Sequence, residues 1–359
     1  NSTTEVFGYV RYIIAGSDAA TKDIKRGEMF TAVNGTQLTV NNYESLLFGS
    51  NDSYTLNMAD YNGTNVTSNG KTVTLTKTTL TENPILIKNV ITVGSKKIGY
   101  LMYNGFYADF DSQLNTAFGE FKSQGITDLV LDLRYNGGGS VRTATYLASM
   151  ITGQFTGKVF AKQQWNSKIN AYYEKNDPNG LRNFFTDKIG TTPINSVNMT
   201  KVYILTTKST ASASELIING LKPHINVVQI GDLTVGKNVG SVTLYDSPDF
   251  GPNNKNTKHK YAMQPIVLKI VNSDGFGDYF NGLTPTHELK ETISTYGVLG
   301  NVNEPLLKLA IAKITGTGKS APENSGKQFE YFKDSKSMNP YRNEMYLEKA
   351  PAGLQKALD

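Results

Sequence analysis

The feature that most constrains this fold is an alternation of apolar strands and helical segments that begins near Lys96. The apolar segments predict, in chain order, a strand at 96–106, a helix at 110–125, a strand at 127–136, a helix at 143–153, a strand at 201–208, a helix at 212–222 and a strand at 226–232. Gly125 follows the first helix at the position where glycine commonly ends one. Strands that alternate with helices are typical of a layered α/β domain around a largely buried sheet.

The residues before Lys88 have another pattern, of short β-strands separated by turns. VFGYVRYII (6–14), YTLNMAD (54–60) and KTVTLTKTTL (71–80) have the β-branched and aromatic content of strands. The turn signals Asn62-Gly63 and Asn69-Gly70 predict a hairpin between the last two. This pattern predicts a small, mostly-β domain.

The length of 359 residues favours more than one domain. We predict a β domain over residues 1–88, an α/β core over 89–316 and a C-terminal extension over 317–359 that packs on the core. The segment 155–195 is rich in Asn, Lys and aromatic residues and is interpreted as an insertion over the site.

Composition excludes several classes of function. Hydrophobic residues make up 38% of the chain and charged residues 19%, as in folded globular proteins rather than disordered ones. The net charge of +5 includes no basic run, which disfavours nucleic acid as a partner. Without cysteine there are no disulfides or thiolate nucleophiles, and three scattered histidines predict no metal site. No apolar stretch is long enough to cross a bilayer.

The first candidate for chemistry is the small-residue segment STASASE (209–215), where a strand runs into a helix. Ser212 there would lie near the helix N-terminus, whose free N–H groups stabilise a developing negative charge. Serine is also a common N-cap residue, so the segment alone permits a purely structural role.

Two further motifs bear on this choice. The strand 127–136 ends in Gly137-Gly138-Gly139, whose backbone N–H groups could form an oxyanion hole, although a flexible turn or a phosphate loop remains open. Lys237 lies in the turn of GDLTVGKNVGS (231–241) and could act as general base if burial kept its amine neutral. An exposed turn lysine is the other interpretation.

In combination these motifs resemble the S41 peptidases, the tail-specific or C-terminal processing peptidases related to tricorn core proteases. TASASE (210–215) matches the family's nucleophile motif, GDLTVGK (231–237) its lysine turn, and DLRYNGGG (132–139) its upstream segment. The resemblance implies a nucleophile at Ser212, a base at Lys237, and oxyanion donors at Ala213 and at Gly138 or Gly137. It also implies a crotonase-like or ClpP-like layered core, protein substrates cut near their C-termini and no cofactor.

The N-terminal part resembles PDZ domains through KDIKRGEMFTAVNGTQL (22–38), with Glu28 where aspartate is usual. By this resemblance Phe7, Gly8, Tyr9 and Val10 form the loop that binds a substrate's C-terminal carboxylate. YFNGLTPTHEL (279–289) resembles the end of the family's peptidase core, with Thr286 in place of the common aspartate.

One position departs from the family pattern. Relatives often have glutamine four residues after the lysine, where it orients the amine, and this chain has Ser241 there. We therefore take Ser241 as the candidate third member of the site, with a shorter reach than glutamine. A triad through His224 finds no support elsewhere in the sequence.

Two rival functions remain open at this level. A PDZ-type scaffold with an impaired peptidase core would account for the change at Ser241. Acyl-CoA chemistry of the crotonase type would use the same fold, without a role for Ser212. The family resemblance also implies a bacterial envelope location, with the targeting segment removed from the chain.

Overall fold

The computed structural model describes residues 4–317, 329–339 and 342–358. These residues cluster into two compact units. The first contains residues 4–83, 291–305 and 329–338, and the second contains the remaining described residues. The predicted extension over 317–359 is thus divided between the two units, and its residues 318–328, 340–341 and 359 lie outside the described part of the chain.

The first unit is built on an antiparallel β-sheet. Its elements are β1 (Gly8–Tyr9), a 3₁₀ turn (Asp18–Thr21), β2 (Met29–Val33), β3 (Thr36–Gln37), α1 (Tyr43–Phe48), β4 (Ser53–Tyr61) and β5 (Val66–Thr76). The strand order is β1-β2-β4-β5, with β3 paired to β2. Val33, Leu56 and Met58 are buried in its core. The predicted hairpin is formed by β4 and β5, where Asn62 Oδ1 accepts hydrogen bonds from the N–H groups of Thr64 and Asn65.

Two sequence predictions for this unit need correction. The strand predicted at 6–14 is limited to Gly8–Tyr9. Asn69-Gly70 lies inside β5 and not at the end of the hairpin, because the tighter turn at Asn62 already reverses the chain.

Residues distant in sequence complete the first unit. The guanidinium of Arg26 donates to Glu291 Oε1 at 2.5 Å and lies over the ring of Tyr296, 4.2 Å from its centre. Both members of this ion pair are almost buried, at 10% and 6% exposure. A short 3₁₀ turn, Ile293–Thr295, and another, Ser335–Met338, belong to the same unit.

The second unit contains two six-stranded sheets with helices packed against them. Its strands are β6 (Ile85–Val93), β7 (Lys96–Tyr103), β8 (Asp128–Asp132), β9 (Gly139–Ser140), β10 (Val159–Gln164), β11 (Arg182–Phe184), β12 (Lys188–Ile189), β13 (Thr192–Pro193), β14 (Lys201–Thr206), β15 (Asn226–Gly231), β16 (Val239–Val242), β17 (Leu244–Tyr245), β18 (Ala262–Met263), β19 (Ile266–Asn272), β20 (His287–Glu288) and β21 (Met345–Leu347). Its helices are α2 (Asp111–Gln124, after the 3₁₀ turn Ala108–Phe110), α3 (Val141–Thr152), α4 (Ser167–Asn176), α5 (Ala213–Leu221), α6 (Pro305–Thr315, whose first residue clusters with the first unit) and α7 (Leu354–Leu358).

The first of these sheets has the order β20-β15-β14-β8-β7-β6, and β7, β8, β14 and β15 run parallel. The second has the order β11-β10-β19-β16-β21-β9. Helix α5 contacts β15 of the first sheet and both β10 and β19 of the second. This helix therefore lies between the sheets, which accounts for the complete burial of all nine of its residues.

The mixed α/β architecture agrees with the alternation read from the sequence, and each predicted element of 96–232 has its counterpart. The segment 155–195, however, is not an insertion. Its strand β10 pairs with β19 inside the second sheet, and Phe160 and Ala161 are fully buried. The polar second half of the strand, KQQ, hides this role in the sequence.

Candidate functional site

Ser212 occupies the junction between a buried strand and a buried helix. The residue precedes α5 and follows the loop that leaves β14. Its backbone has φ +65° and ψ −116°, a conformation that residues with a side chain rarely adopt outside functional sites. The side chain is fully buried, and Oγ has no hydrogen-bond partner among the described residues. The serine is thus held in a strained turn with its hydroxyl uncommitted.

A buried carboxylate fixes this turn to the lysine loop. Glu215 Oε2 accepts hydrogen bonds from the backbone N–H of Ser212 at 2.7 Å and of Lys237 at 2.9 Å. Its Oε1 accepts from Thr234 Oγ1 at 2.5 Å and from the N–H of Gly236 at 2.6 Å. One side chain therefore sets the positions of the candidate nucleophile and the candidate base together.

The Glu215 carboxyl is under opposing influences. Burial raises its pKa, while the four hydrogen bonds favour the charged form. Sequence reasoning did not single out this residue. An acidic residue three positions after a serine at a helix start is the signature of a capping box, and that signal could have identified it.

The glycine segment 137–139 lies directly against the serine. A methyl group added to Gly138, which has φ +111°, would lie 2.6 Å from the Cβ of Ser212. The N–H of Gly138 donates to Asn136 Oδ1 at 2.9 Å, and the carbonyl of Asn136 accepts from the N–H of Ala211 and from Ser214 Oγ. Of the predicted oxyanion donors, the Gly138 amide is thus engaged by a side chain here, whereas Ala213 is the first residue of α5, where helix N–H groups lack helical partners.

A fully buried ion pair supports the strand before these glycines. Arg134 Nη2 lies 2.8 Å from Asp132 Oδ2, and Arg134 Nε lies 2.9 Å from Asp132 Oδ1. The hydroxyl of Tyr100 donates to Asp132 Oδ2 at 2.8 Å. Breaking such a pair by removing one partner costs about 3–5 kcal/mol, so this cluster anchors the approach to the site.

Lys237 lies after β15, in a loop shaped by Gly236 at φ +94°. Its side chain is 21% exposed, and Nζ lies 3.5 Å from Glu344 Oε1. Ser212 Oγ has no hydrogen-bond partner among the described residues, so the amine of Lys237 makes no hydrogen bond to the serine in this structure.

Ser241, the predicted third member, acts on the same carboxylate. Its hydroxyl donates to Glu344 Oε2 at 2.6 Å and accepts from Gln264 Nε2 at 3.2 Å. The structure thus brings Lys237 and Ser241 together through Glu344, a residue that sequence reasoning missed because nothing near it in sequence signals chemistry.

The predicted carboxylate-binding loop lies elsewhere, in the first unit. Gly8 and Tyr9 form β1 and pair with Phe30 and Met29 of β2. The N–H of Val10 donates to the carbonyl of Glu28 at 2.9 Å, and the ring of Phe7 meets that of Phe329 edge-on, with 4.9 Å between ring centres.

The contacts of His224 lie outside the group of residues around Ser212 and Lys237. A ring nitrogen of His224 lies 3.1 Å from the Val159 carbonyl, and the ring packs on Phe155 and Phe185. Burial lowers the pKa of His224. Within the described ranges there is no cluster of three or more potential metal-ligating His, Asp or Glu side chains. Likewise, no described helix is long and apolar enough to cross a membrane.

Part of the chain is similar in sequence to a known family of proteins. Residues 97–261 match the model of peptidase family S41. A chloroplastic C-terminal processing peptidase of Tetradesmus obliquus is 26% identical over 235 residues, which are 62% of this chain and 46% of that protein. A carboxyl-terminal-processing protease of Picosynechococcus is 26% identical over 179 residues, which are 50% of this chain and 38% of that protein. The chain therefore spans less than half the length of these curated relatives.

A solved structure covers more of the chain. The crystal structure of a Bacteroides fragilis protein assigned to the S41 proteases superposes with a TM-score of 0.73 at 28% identity. The match includes 89% of this chain and 80% of that one, so the likeness extends beyond the residues of the family model.

Proposed function

Since the chain carries a domain of peptidase family S41, we propose that it is a serine endopeptidase that cleaves protein substrates, near their C-termini, with Ser212 as nucleophile and Lys237 as base. The observation that supports this most is the shared anchor of the two residues. Glu215 binds the backbone N–H of both, so that strain at Ser212 and the position of the lysine loop are fixed by one buried group.

The reaction is acyl transfer. Neutral Lys237 takes the proton of the Ser212 hydroxyl, and Oγ attacks the carbonyl carbon of the substrate's peptide bond. The amides of Ala213 and of Gly138 or Gly137 stabilise the oxyanion, after which the amine product leaves with a proton. Water then hydrolyses the ester to Ser212 and releases the second product. Apart from this water, every group in the reaction belongs to the chain or the substrate.

The dyad is tested with a fluorophosphonate probe and with hydrolysis of fluorescently labelled casein. Wild type should react with the probe and cleave casein, and Ser212→Ala should do neither. Lys237→Ala should lower kcat by about 10³-fold or more, because the serine hydroxyl loses its base. Lys208→Ala, which removes an exposed lysine from the loop between β14 and Ser212, is the matched control and should retain activity. Normal turnover by Lys237→Ala would exclude the dyad.

Two finer proposals accompany the peptidase. The first unit acts as a PDZ-like domain whose loop Phe7–Val10 binds the C-terminal carboxylate of substrates. The sequence pattern and the edge position of β1 support this proposal.

The second proposal concerns location: the chain works in a bacterial envelope, as the family resemblance implies. Fractionation of the source cells checks the second proposal, and a purely cytosolic protein would contradict it.

A further inference from the structure

The second unit is completed by a strand from the end of the chain, which passes between the two halves of the candidate site. We call residues 342–348 the closing strand. Its central part is β21, which pairs in parallel with both β9 and β16. Met345 and Tyr346 are opposite Gly139 and Ser140, and Tyr346 and Leu347 are opposite Ser241 and Val242. In the sheet order, the closing strand therefore lies between β9 of the glycine segment and β16, the strand after Lys237.

The backbone of the closing strand also lies against the candidate oxyanion loop. A methyl group added to Gly137 would lie 2.3 Å from the carbonyl oxygen of Arg342 and 2.8 Å from Asn343 Oδ1. A peptide substrate must place its carbonyl within about 3 Å of the nucleophile and the oxyanion amides. The closing strand thus packs on the same glycine segment that would receive the carbonyl of a substrate.

The side chains of the closing strand engage the catalytic groups. Glu344 pairs with Lys237 Nζ and accepts the hydrogen bond of Ser241. While its amine lies beside Glu344, Lys237 makes no hydrogen bond to the hydroxyl of Ser212, the group that a general base would have to deprotonate. At the other end, Glu348 accepts a hydrogen bond from Ser140, the N-cap residue of α3, and lies 3.7 Å from Arg142.

We propose that the closing strand occupies the place of a peptide substrate and holds the site in a resting state. The proposal rests on the proposed peptidase function. It accounts for three observations together: the buried Ser212 hydroxyl without a partner, the lysine directed to Glu344, and the Gly138 amide held by Asn136. Catalysis then requires the strand to leave, while α7 keeps the chain end attached through the buried side chains of Leu354 and Ala357.

The experiment compares full-length wild type with Glu344→Gln, Glu348→Gln and the double variant. Each change removes a charged anchor and leaves the backbone pairing intact. We expect the double variant to react with a fluorophosphonate about tenfold faster and to show a KM for labelled casein about tenfold lower, as expected for loss of an internal competitor. Glu174→Gln, an exposed acidic residue on α4, is the matched control and should behave as wild type.

Unchanged or slower labelling in the double variant would overturn the proposal, since Glu344 would then support catalysis by positioning the lysine. Failure of every variant and of wild type to label Ser212 removes the peptidase function and this inference together. Labelling of wild type at the same rate as the variants removes only the inference.

A second measurement needs no substitution. A serine-directed peptidyl phosphonate bound to wild type should displace the closing strand and increase amide hydrogen exchange at Met345–Leu347. Exchange in β14, which pairs with its neighbours independently of this strand, should stay constant. Equal or slower exchange at Met345–Leu347 in the inhibited enzyme would contradict the proposal that the closing strand occupies the place of a substrate.

Discussion

At the scale of single residues, Glu215 links stability to pH. Burial raises the pKa of its carboxyl above the ordinary 4.5, so the folded protein holds this proton more tightly than the unfolded chain does. The free energy of unfolding should therefore fall as the pH rises from about 4.5 through the raised value, by at most about 1.4 kcal/mol per pH unit. Glu215→Gln should remove this slope, and Glu174→Gln should keep it. Urea denaturation between about pH 4 and pH 8 measures both, and identical slopes in wild type and Glu215→Gln would refute the assignment.

At the scale of an element, the glycine segment after β8 is defined by its closeness to the serine. Gly138→Ala must place a methyl group 2.6 Å from the Cβ of Ser212 at φ +111°, so we expect loss of peptidase activity and a destabilisation of about 1–3 kcal/mol. Gly157→Ala is a matched control, because Gly157 has φ +82° with no atom within 4 Å of the added carbon. That variant should lose about 1 kcal/mol of stability and keep its activity. Calorimetry measures the stability of both variants, and casein hydrolysis measures their activity. An active Gly138→Ala enzyme would contradict the prediction, because the glycine segment would then be able to move away from Ser212.

At the scale of the whole molecule, peptide binding by the first unit would determine which substrates the proposed peptidase prefers. If the loop Phe7–Val10 binds a terminal carboxylate, a peptide with a free C-terminus should have a KM about tenfold lower than the same peptide with a C-terminal amide, at similar kcat. Steady-state kinetics on the full chain with the two peptides tests this. Equal KM values would leave the first unit without a role in recognising C-termini.

The order of elements and the motifs that contain Ser212 and Lys237 can be recognised in the sequence because they are local. Ser212 and Lys237 lie beside recognisable turns, and the strands and helices of 96–232 follow from apolar spacing. What the sequence conceals depends on contacts between distant residues. Glu344 meets Ser241 across 103 residues, and Arg26 meets Glu291 across 265. In neither pair does the sequence around one residue specify which distant residue it contacts. The core position of strand β10 is concealed for a related reason, because it depends on the pairing of β10 with the distant strand β19.

The late position of the closing strand in the chain also sets a schedule for biosynthesis. A ribosome adds about 5–20 residues per second, so the 103 residues that separate Ser241 from Glu344 take about 5–20 s to appear. During that interval the nascent second unit has Ser212, the glycine segment and Lys237 but lacks the strand that lies between β9 and β16 in the second sheet. On the model proposed above, synthesis of the closing strand thus completes the second sheet and silences the enzyme in the same step, so that a newly made molecule is inactive from the start.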